Sequence, residues 1–181
     1  MKKITFTLLA ILIVFACTQA QTFTLKSTDI GGQATDENLF NGFGCSGDNT
    51  SPSLSWENLP EGTKSFAVTM YDPDAPTGSG WWHWVMFDIP AEVTSLKKNA
   101  GSIEAKLAPN GAIQGVTDFG TYGYGGPCPP EGHGPHQYIV TVYALKTDKL
   151  GVDKNASPAM VGFNLSANTI EKASIVFYYQ R

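Results

Sequence analysis

Short apolar runs separated by glycine and proline are the feature that most limits the folds open to this chain. Six runs have the length and residue types of β-strands, and many of the 19 glycines and 11 prolines lie between them. The runs are 23–26, 53–56, 66–71, 83–89, 138–145 and 174–179. The sequence therefore predicts a mainly β fold.

Two of these runs indicate strands that are buried on both faces. In 66–71 and in 138–145, large apolar groups stand at both odd and even positions, whereas a strand with one solvated face would alternate apolar and polar residues. Such strands need partners on either side and cover on either face. We therefore expect a sandwich or a large covered sheet.

One segment late in the chain has the signals of a helix. Ser157 is a natural N-cap, Pro158 suits the first turn, and apolar residues follow at helical spacing. We expect one peripheral helix at about 157–172. A weaker candidate for a helical turn lies near 91–96.

The first twenty residues resemble an export signal. Lys2 and Lys3 precede an apolar run at 8–16, and small residues suited to cleavage follow. The run is too short to span about 30 Å of hydrocarbon, so no transmembrane segment is expected. We predict a signal peptide at 1–20 and a single domain at 21–181, which is exported to the periplasm or secreted.

A lipoprotein is the alternative form of export. In it, Cys17 would become the first residue and carry the lipid. The bulky Phe15 fits that signal poorly, so plain secretion is favoured.

The charge balance excludes one large class of partner. The formal net charge is −4, and a protein that binds nucleic acid non-specifically normally has a basic stripe. No nucleic-acid partner is expected. Charged residues make up 15% of the chain and aromatic residues 12%, which favours a packed core over disorder.

Export also determines how the cysteines are interpreted. After cleavage only Cys45 and Cys128 remain, and an even pair in an oxidising compartment predicts a disulfide. The bond would close a loop of about 80 residues, worth up to about 4 kcal/mol in the chain-entropy model. The alternative is a free thiol at Cys128.

Two segments carry acidic and histidine side chains in restricted surroundings. Asp72 and Asp74 follow a strand directly, in a stretch where prolines limit the backbone, although Asp-Pro turns are also common at strand ends. His83 stands among three tryptophans at the start of the next strand. A buried imidazole needs a hydrogen-bond partner, and Asp72 or Asp74 is the candidate.

A third segment, 122–138, is rich in glycine and proline and ends in a strand. Glycines allow close backbone approach and expose N–H groups, while His136 enters the strand at the rim of the loop. Backbone donors and an imidazole together suit an anion. A flexible surface loop would explain neither the flanking aromatic residues nor the histidine.

Together these blocks resemble the phosphatidylethanolamine-binding protein family. The resemblance rests on 72–76, on Trp82-His83-Trp84 and on 126–130 followed by 136–138. It is strongest to the bacterial Raf-kinase-inhibitor-like branch of YbhB and YbcL. Because the chain has an export signal and two further cysteines, it is most similar to the exported YbcL type. Further matching segments cover nearly all of the chain after residue 20: 43–45, 49–56, 118–120 and 142–145.

The resemblance implies a β-sandwich in which a large central antiparallel sheet packs on a smaller one, with few helices. It also implies a small preformed pocket for phosphate-like anions or phosphorylated head groups. Carried over by position, the ligand-binding residues would be Asp72, Asp74, Pro76, His83, Gly126, Cys128 and His136. The Ala75–Pro76 bond would be cis, and Gln137 replaces an arginine that many members have.

Other functions remain open at this point. A hydrolase could use Cys128 with His136 if no disulfide forms. Cys128, His133 and His136 lie close in sequence, but their intervals do not match zinc sites, so no metal and no cofactor is expected. The chain could instead be a protein-interaction module, as a protease inhibitor or signalling modulator, with a partner outside the cytoplasm.

A homodimer is a further possibility. Phe40, Phe43 and the run 81–84 could leave apolar surface near the mouth of the pocket.

Overall fold

Residues 21–181 are described by a computed structural model, so the predicted signal peptide and Cys17 lie outside the described residues. Most of the ordered elements are strands, and one α-helix precedes the last of them. Along the chain the elements are β1 (Thr24–Lys26), β2 (Asn41–Gly42), β3 (Cys45–Ser46), β4 (Leu54–Glu57), β5 (Ser65–Asp72), β6 (Trp81–Pro90), β7 (Ser95–Leu96), β8 (Ile113–Gln114), β9 (His136–Leu145), α1 (Pro158–Asn168) and β10 (Thr169–Tyr179).

The main sheet has five antiparallel strands in the order β10-β9-β5-β6-β8. Strand β5 is its centre, and every residue of β5 except Tyr71 is buried. Strand β9 beside it is also largely buried. The prediction of central strands covered on both faces is confirmed, and the apolar residues of both parities are what makes that burial favourable.

A second sheet, β1-β4-β7, covers one face of the main sheet. Its apolar side chains join the main sheet in one core, in which the rings of Phe23 and Trp56 lie 6.3 and 5.2 Å from that of Phe66. The expected mainly β sandwich of a large and a smaller sheet is therefore confirmed.

The helix α1 covers part of the opposite face. Val161 and Leu165 pack there against Ala67, Val85 and other residues of the main sheet. The hydroxyl of Ser157 accepts a hydrogen bond from the backbone N–H of Met160 at 3.2 Å, as expected of an N-cap. No helix within residues 21–181 is long and apolar enough to cross a membrane.

Two helical predictions were wrong in extent. The helix ends at Asn168 rather than near 172, because Thr169 already pairs with Leu145 and the following residues are extended as β10. The weaker candidate at 91–96 is a turn followed by β7, where Leu96 is buried opposite Leu54. In both places pairing with a neighbouring strand outweighs local helical preference.

Candidate functional site

The antiparallel order of the main sheet brings three of the predicted site residues to one end of it. Asp72 is the last residue of β5, His83 is near the start of β6, and His136 is the first residue of β9. Because β6 and β9 run antiparallel to β5 on either side, the end of β5 lies beside the starts of both.

Asp72 is buried and accepts three hydrogen bonds. Its Oδ1 atom accepts hydrogen bonds from the backbone N–H groups of Asp74 and Ala75, at 2.8 and 3.1 Å. Its Oδ2 atom lies 2.8 Å from Nδ1 of His136, which is also buried. A carboxylate can only accept, so the imidazole donates from Nδ1. Asp72 is thus paired with His136 and not with His83.

The turn after Asp72 places its two other candidate residues differently. Asp74 is exposed and its carboxylate accepts the backbone N–H of Gln137 at 2.8 Å, which joins this turn to the start of β9. Pro76 lines the same cavity as Asp72, His83 and His136. The Ala75–Pro76 bond is trans, so the cis prediction was wrong: the turn is closed by the Asp72 carboxylate and by a 2.8 Å bond from Thr77 N–H to the Ala75 carbonyl.

His83 is buried and electrically neutral near pH 7. Its Nδ1 donates to the carbonyl of Gly125 at 2.8 Å, which leaves Nε2 as an acceptor. Burial lowers the pKa of His83 to about 4, and the hydrogen bond to Gly125 and the charge of Asp72 offset only part of that effect. The ring makes edge contacts with Phe119 and Tyr138, at centroid distances of 5.3 and 5.1 Å.

A disulfide bond joins the glycine- and proline-rich loop to the segment around residue 45. Cys45 and Cys128 form the predicted disulfide, with their Cα atoms 6.0 Å apart. Cys128 therefore has no thiol, and the hydrolase alternative loses its nucleophile. The Gly126 N–H donates to the side chain of Asn49 at 2.8 Å and is not free for an anion. A Cβ atom at Gly126 would collide with the carbonyl of Asn38.

A cavity of about 210 Å³ opens at this end of the sheet. Five of the predicted residues line it, namely Asp72, Pro76, His83, Cys128 and His136, whereas Asp74 and Gly126 do not. Of the other lining residues, Phe43 and Trp81 were expected only as apolar surface near the mouth of the pocket, and the rest were not predicted as site residues: Ala75, Thr77, Phe119, Pro129, Pro130 and Tyr138. Most of this second set is apolar, so the cavity has a polar base and apolar walls.

Tyr138 is the most informative of the residues that were missed. It is completely buried, it lines the cavity, and its hydroxyl has no hydrogen-bond partner among the described residues. Burial, aided by the negative charge of Asp72, raises the pKa of Tyr138, so the phenol keeps its proton. Position 138 could have been found from His136, because residues two apart share one face of a strand.

Aromatic rings form one wall and the rim. Phe119 lies 4.4 Å from Phe40 and 5.7 Å from Phe43 between ring centroids, and Trp81 meets it edge-on at 5.4 Å. Phe43 is 66% exposed. Trp84, which the dimer hypothesis included, is fully buried and contributes no surface. Among the described residues that line the cavity there is no lysine or arginine.

The imidazole of His136 has a second neighbour. Its Nε2 lies 3.0 Å from Nδ1 of His133, an exposed residue in the turn before β9. Asp72, His136 and His133 thus form a continuous hydrogen-bonded series from the base of the cavity to the surface. His133 was considered at the sequence level only for a metal site that included Cys128.

Comparison with known proteins agrees with this architecture. Residues 31–180 match the family model described as phosphatidylethanolamine-binding protein. The chain is 56% identical to UPF0098 protein YbcL of Escherichia coli (strain K12), over 90% of each chain. It is 50% identical to UPF0098 protein YbhB of the same organism, over 83% of this chain and 96% of YbhB.

Solved structures give the same result. The crystal structure of E. coli YbcL, described as a new member of the mammalian PEBP family, is 55% identical, with a TM-score of 0.86 over 88% of this chain and 98% of that one. A putative PEBP homolog from Chlamydia trachomatis, CT736, is 25% identical and has a TM-score of 0.71 over 88% and 97% of the two chains. The chain belongs to the phosphatidylethanolamine-binding protein family.

Proposed function

We propose that the chain is an exported binding protein whose cavity holds a phosphate-like anion or a phosphorylated head group. The observation that carries the proposal is Tyr138, which lines the cavity and whose buried hydroxyl has no hydrogen-bond partner among residues 21–181. A buried hydroxyl without a hydrogen bond costs about 1–3 kcal/mol. A ligand oxygen that accepts from it would remove that cost.

The neighbouring groups define what such a ligand offers. His83 presents Nε2 as an acceptor, since Nδ1 is committed to Gly125, while Tyr138 presents a donor. A phosphate oxygen accepts from the tyrosine, and a P–O–H group donates to the imidazole, so a monoprotonated phosphate matches both. The carboxylate of Asp72 disfavours a second negative charge, which also favours the monoanion.

The apolar walls suit the remainder of a larger ligand. Phe43 and Phe119 stack at 5.7 Å beside the polar base, and prolines 129 and 130 line the same cavity. A phosphate ester could place its phosphate at the base and its organic group against these rings. The family description names a phospholipid, which supports a phosphorylated ligand, although a phosphodiester can accept from Tyr138 and has no P–O–H group for His83.

The decisive experiment removes only the unpaired hydroxyl. Titration calorimetry with a phosphate monoester should show at least tenfold weaker binding to Tyr138→Phe, because a hydrogen bond to a charged group contributes about 1.5–3 kcal/mol. Tyr124→Phe is the matched control, since that buried hydroxyl donates to the Asn38 carbonyl at 2.9 Å, away from the cavity. Absence of binding by the unmodified protein, or equal affinity of Tyr138→Phe, contradicts the proposal.

Export is the second part of the proposal. The disulfide between Cys45 and Cys128 supports it, because such bonds persist mainly in oxidising compartments. Mass spectrometry of the protein recovered from a bacterial periplasm should find Gln21 as the first residue. A lipid-modified Cys17 would identify the lipoprotein alternative, and an uncleaved cytoplasmic chain would contradict export.

A further inference from the structure

His133 and His136 form the one imidazole pair in the described part of the chain, and Asp72 fixes the hydrogen positions of its inner ring. Nδ1 of His136 donates to Oδ2 of Asp72 at 2.8 Å. In the neutral ring, Nε2 therefore carries a lone pair, and it lies 3.0 Å from Nδ1 of His133. Histidines that ligate metals typically donate their other nitrogen to a carboxylate in this way, which orients the ring and raises its basicity.

The distance between the two nitrogens fits a shared metal ion as well as a hydrogen bond. Imidazole nitrogens bind Zn²⁺ at about 2.0–2.1 Å, so two ligands subtending 90–109° at the metal stand about 2.8–3.4 Å apart. The observed separation of 3.0 Å lies in that range. His133 is exposed, so an ion can reach the pair from solvent.

We propose that His133 and His136 together ligate a divalent transition-metal ion, of the class of Zn²⁺, Cu²⁺ or Ni²⁺, at the edge of the cavity. Imidazole is a suitable ligand for all three. No third His, Cys, Asp or Glu side chain within 21–181 completes a metal-binding group, so water or a ligand oxygen takes the remaining positions. The spacing of Cys128, His133 and His136 in the sequence does not match a zinc site, but the two histidines can bind a metal ion without Cys128.

Such an ion would supply the charge that the cavity lacks. The lining residues include the carboxylate of Asp72 but no lysine or arginine, and the imidazole of His83 is neutral. Because His136 lines the cavity and His133 does not, the ion would lie at the edge of the cavity, where we expect it to offer an open position to an anionic oxygen. This role of the ion rests on the proposed function, whereas the metal site itself does not.

Metal binding is tested first, without any anion. Untagged protein is titrated with Cu²⁺, and its paramagnetic resonance spectrum is expected to show hyperfine coupling to two imidazole nitrogens. His133→Ala, which removes an exposed side chain, should weaken binding at least tenfold and leave coupling to one. Glu131→Gln, in the same turn, is the matched control and should bind as the unmodified protein does. No binding, or equal binding by His133→Ala, overturns the metal site.

The second arm separates this proposal from the proposed function. Phenyl phosphate is titrated into metal-free protein and into protein with one equivalent of Zn²⁺, where we expect about tenfold tighter binding that His133→Ala does not show. Phosphate binding that Zn²⁺ leaves unchanged overturns the role of the ion and leaves the anion pocket intact. Copper binding by the pair in a protein that never binds phosphate supports the metal site and contradicts the proposed function.

Discussion

Nδ1 of His136 and Oδ2 of Asp72 lie 2.8 Å apart, and both side chains are almost completely buried. The contact joins the start of β9 to the end of β5 at the base of the cavity. It also occupies the oxygen of Asp72 that is not used by the turn at Asp74 and Ala75. This carboxylate therefore holds the turn, the junction of β5 with β9 and the orientation of one imidazole at the same time.

Replacing Asp72 by alanine should lower the free energy of unfolding by about 3 kcal/mol, because it leaves the buried imidazole N–H of His136 and two partly buried backbone N–H groups unsatisfied. Urea unfolding measures the effect. Asp74→Ala is the matched control: that side chain is exposed and accepts one hydrogen bond, from Gln137, so its loss should cost about 1 kcal/mol. Equal effects of the two substitutions would show that burial of Asp72 is unimportant.

His83 should make the protein sensitive to acid. Burial lowers the pKa of His83 to about 4, whereas a histidine in the unfolded chain titrates near 6.5. Between these values the unfolded state binds more protons, so the free energy of unfolding falls as the pH falls, by up to about 3 kcal/mol across the window.

The variant His83→Asn keeps a donor for the Gly125 carbonyl and removes the titrating ring. Its free energy of unfolding should decrease less between pH 6.5 and pH 4, and urea unfolding at several pH values measures the difference. The same pH slope in both proteins would mean that His83 is not responsible for it.

Loss of the disulfide should destabilise the protein and open the rim. Cys45 and Cys128 are 83 residues apart in sequence, and a closed loop of that size contributes about 4 kcal/mol in the chain-entropy model. Thermal unfolding should shift to lower temperature on addition of reductant. The variant with alanine at both positions should unfold at the lower temperature without reductant, and reductant should not change that temperature. An unchanged transition in the reduced protein would contradict this expectation.

Gly126 should tolerate no side chain. A Cβ atom there would collide with the backbone of residues 38–40, so Gly126→Ala should lower the free energy of unfolding by about 2 kcal/mol or more. Gly31→Ala is the control, since nothing lies within 4 Å of the added methyl group. Chemical denaturation of both variants compares them, and equal stabilities would exclude close packing as the role of Gly126.

The local patterns of the sequence predicted the strands, because side-chain type and alternation determine which segments can be buried in a sheet. The same patterns did not show that Asp72 pairs with His136 rather than with His83. That choice depends on the register of β5, β6 and β9, which brings together residues 64 positions apart. The resemblance supplied the candidate residues, but only the register determines their partners.

Two other features were missed for related reasons. The N–H of Gly126 was expected at the cavity, but it is used by Asn49, a residue 77 positions away. At the aromatic rim Phe119 was missed, because it comes from a distant segment; it stacks at 5.7 Å on Phe43, which was expected there. Tyr138 was missed for a different reason. Its position two residues after His136 already places it on the same face of the strand, so the sequence pattern alone could have identified it.

Anion affinity should depend on pH in a way that differs between ligands. Because Nδ1 of His83 is committed to Gly125, a bound oxyanion needs a hydrogen between its oxygen and Nε2. A phosphate monoester has a second pKa of about 6, so below pH 6 the ligand itself carries that hydrogen. Its affinity should be nearly constant between about pH 4 and 6. Above pH 6 the complex must take up a proton, so affinity should fall by up to tenfold per pH unit.

Sulfate provides the comparison, because it carries no proton in this range and must rely on protonation of His83. The pKa of His83 is about 4, so the affinity for sulfate should already decline as the pH rises above that value. Calorimetry in buffers of different ionisation enthalpy measures both the affinities and the protons taken up. Proton uptake should be absent for the monoester at pH 5 and present for sulfate. Affinities for both ligands that stay constant from pH 5 to pH 8 would show that His83 does not face the anion.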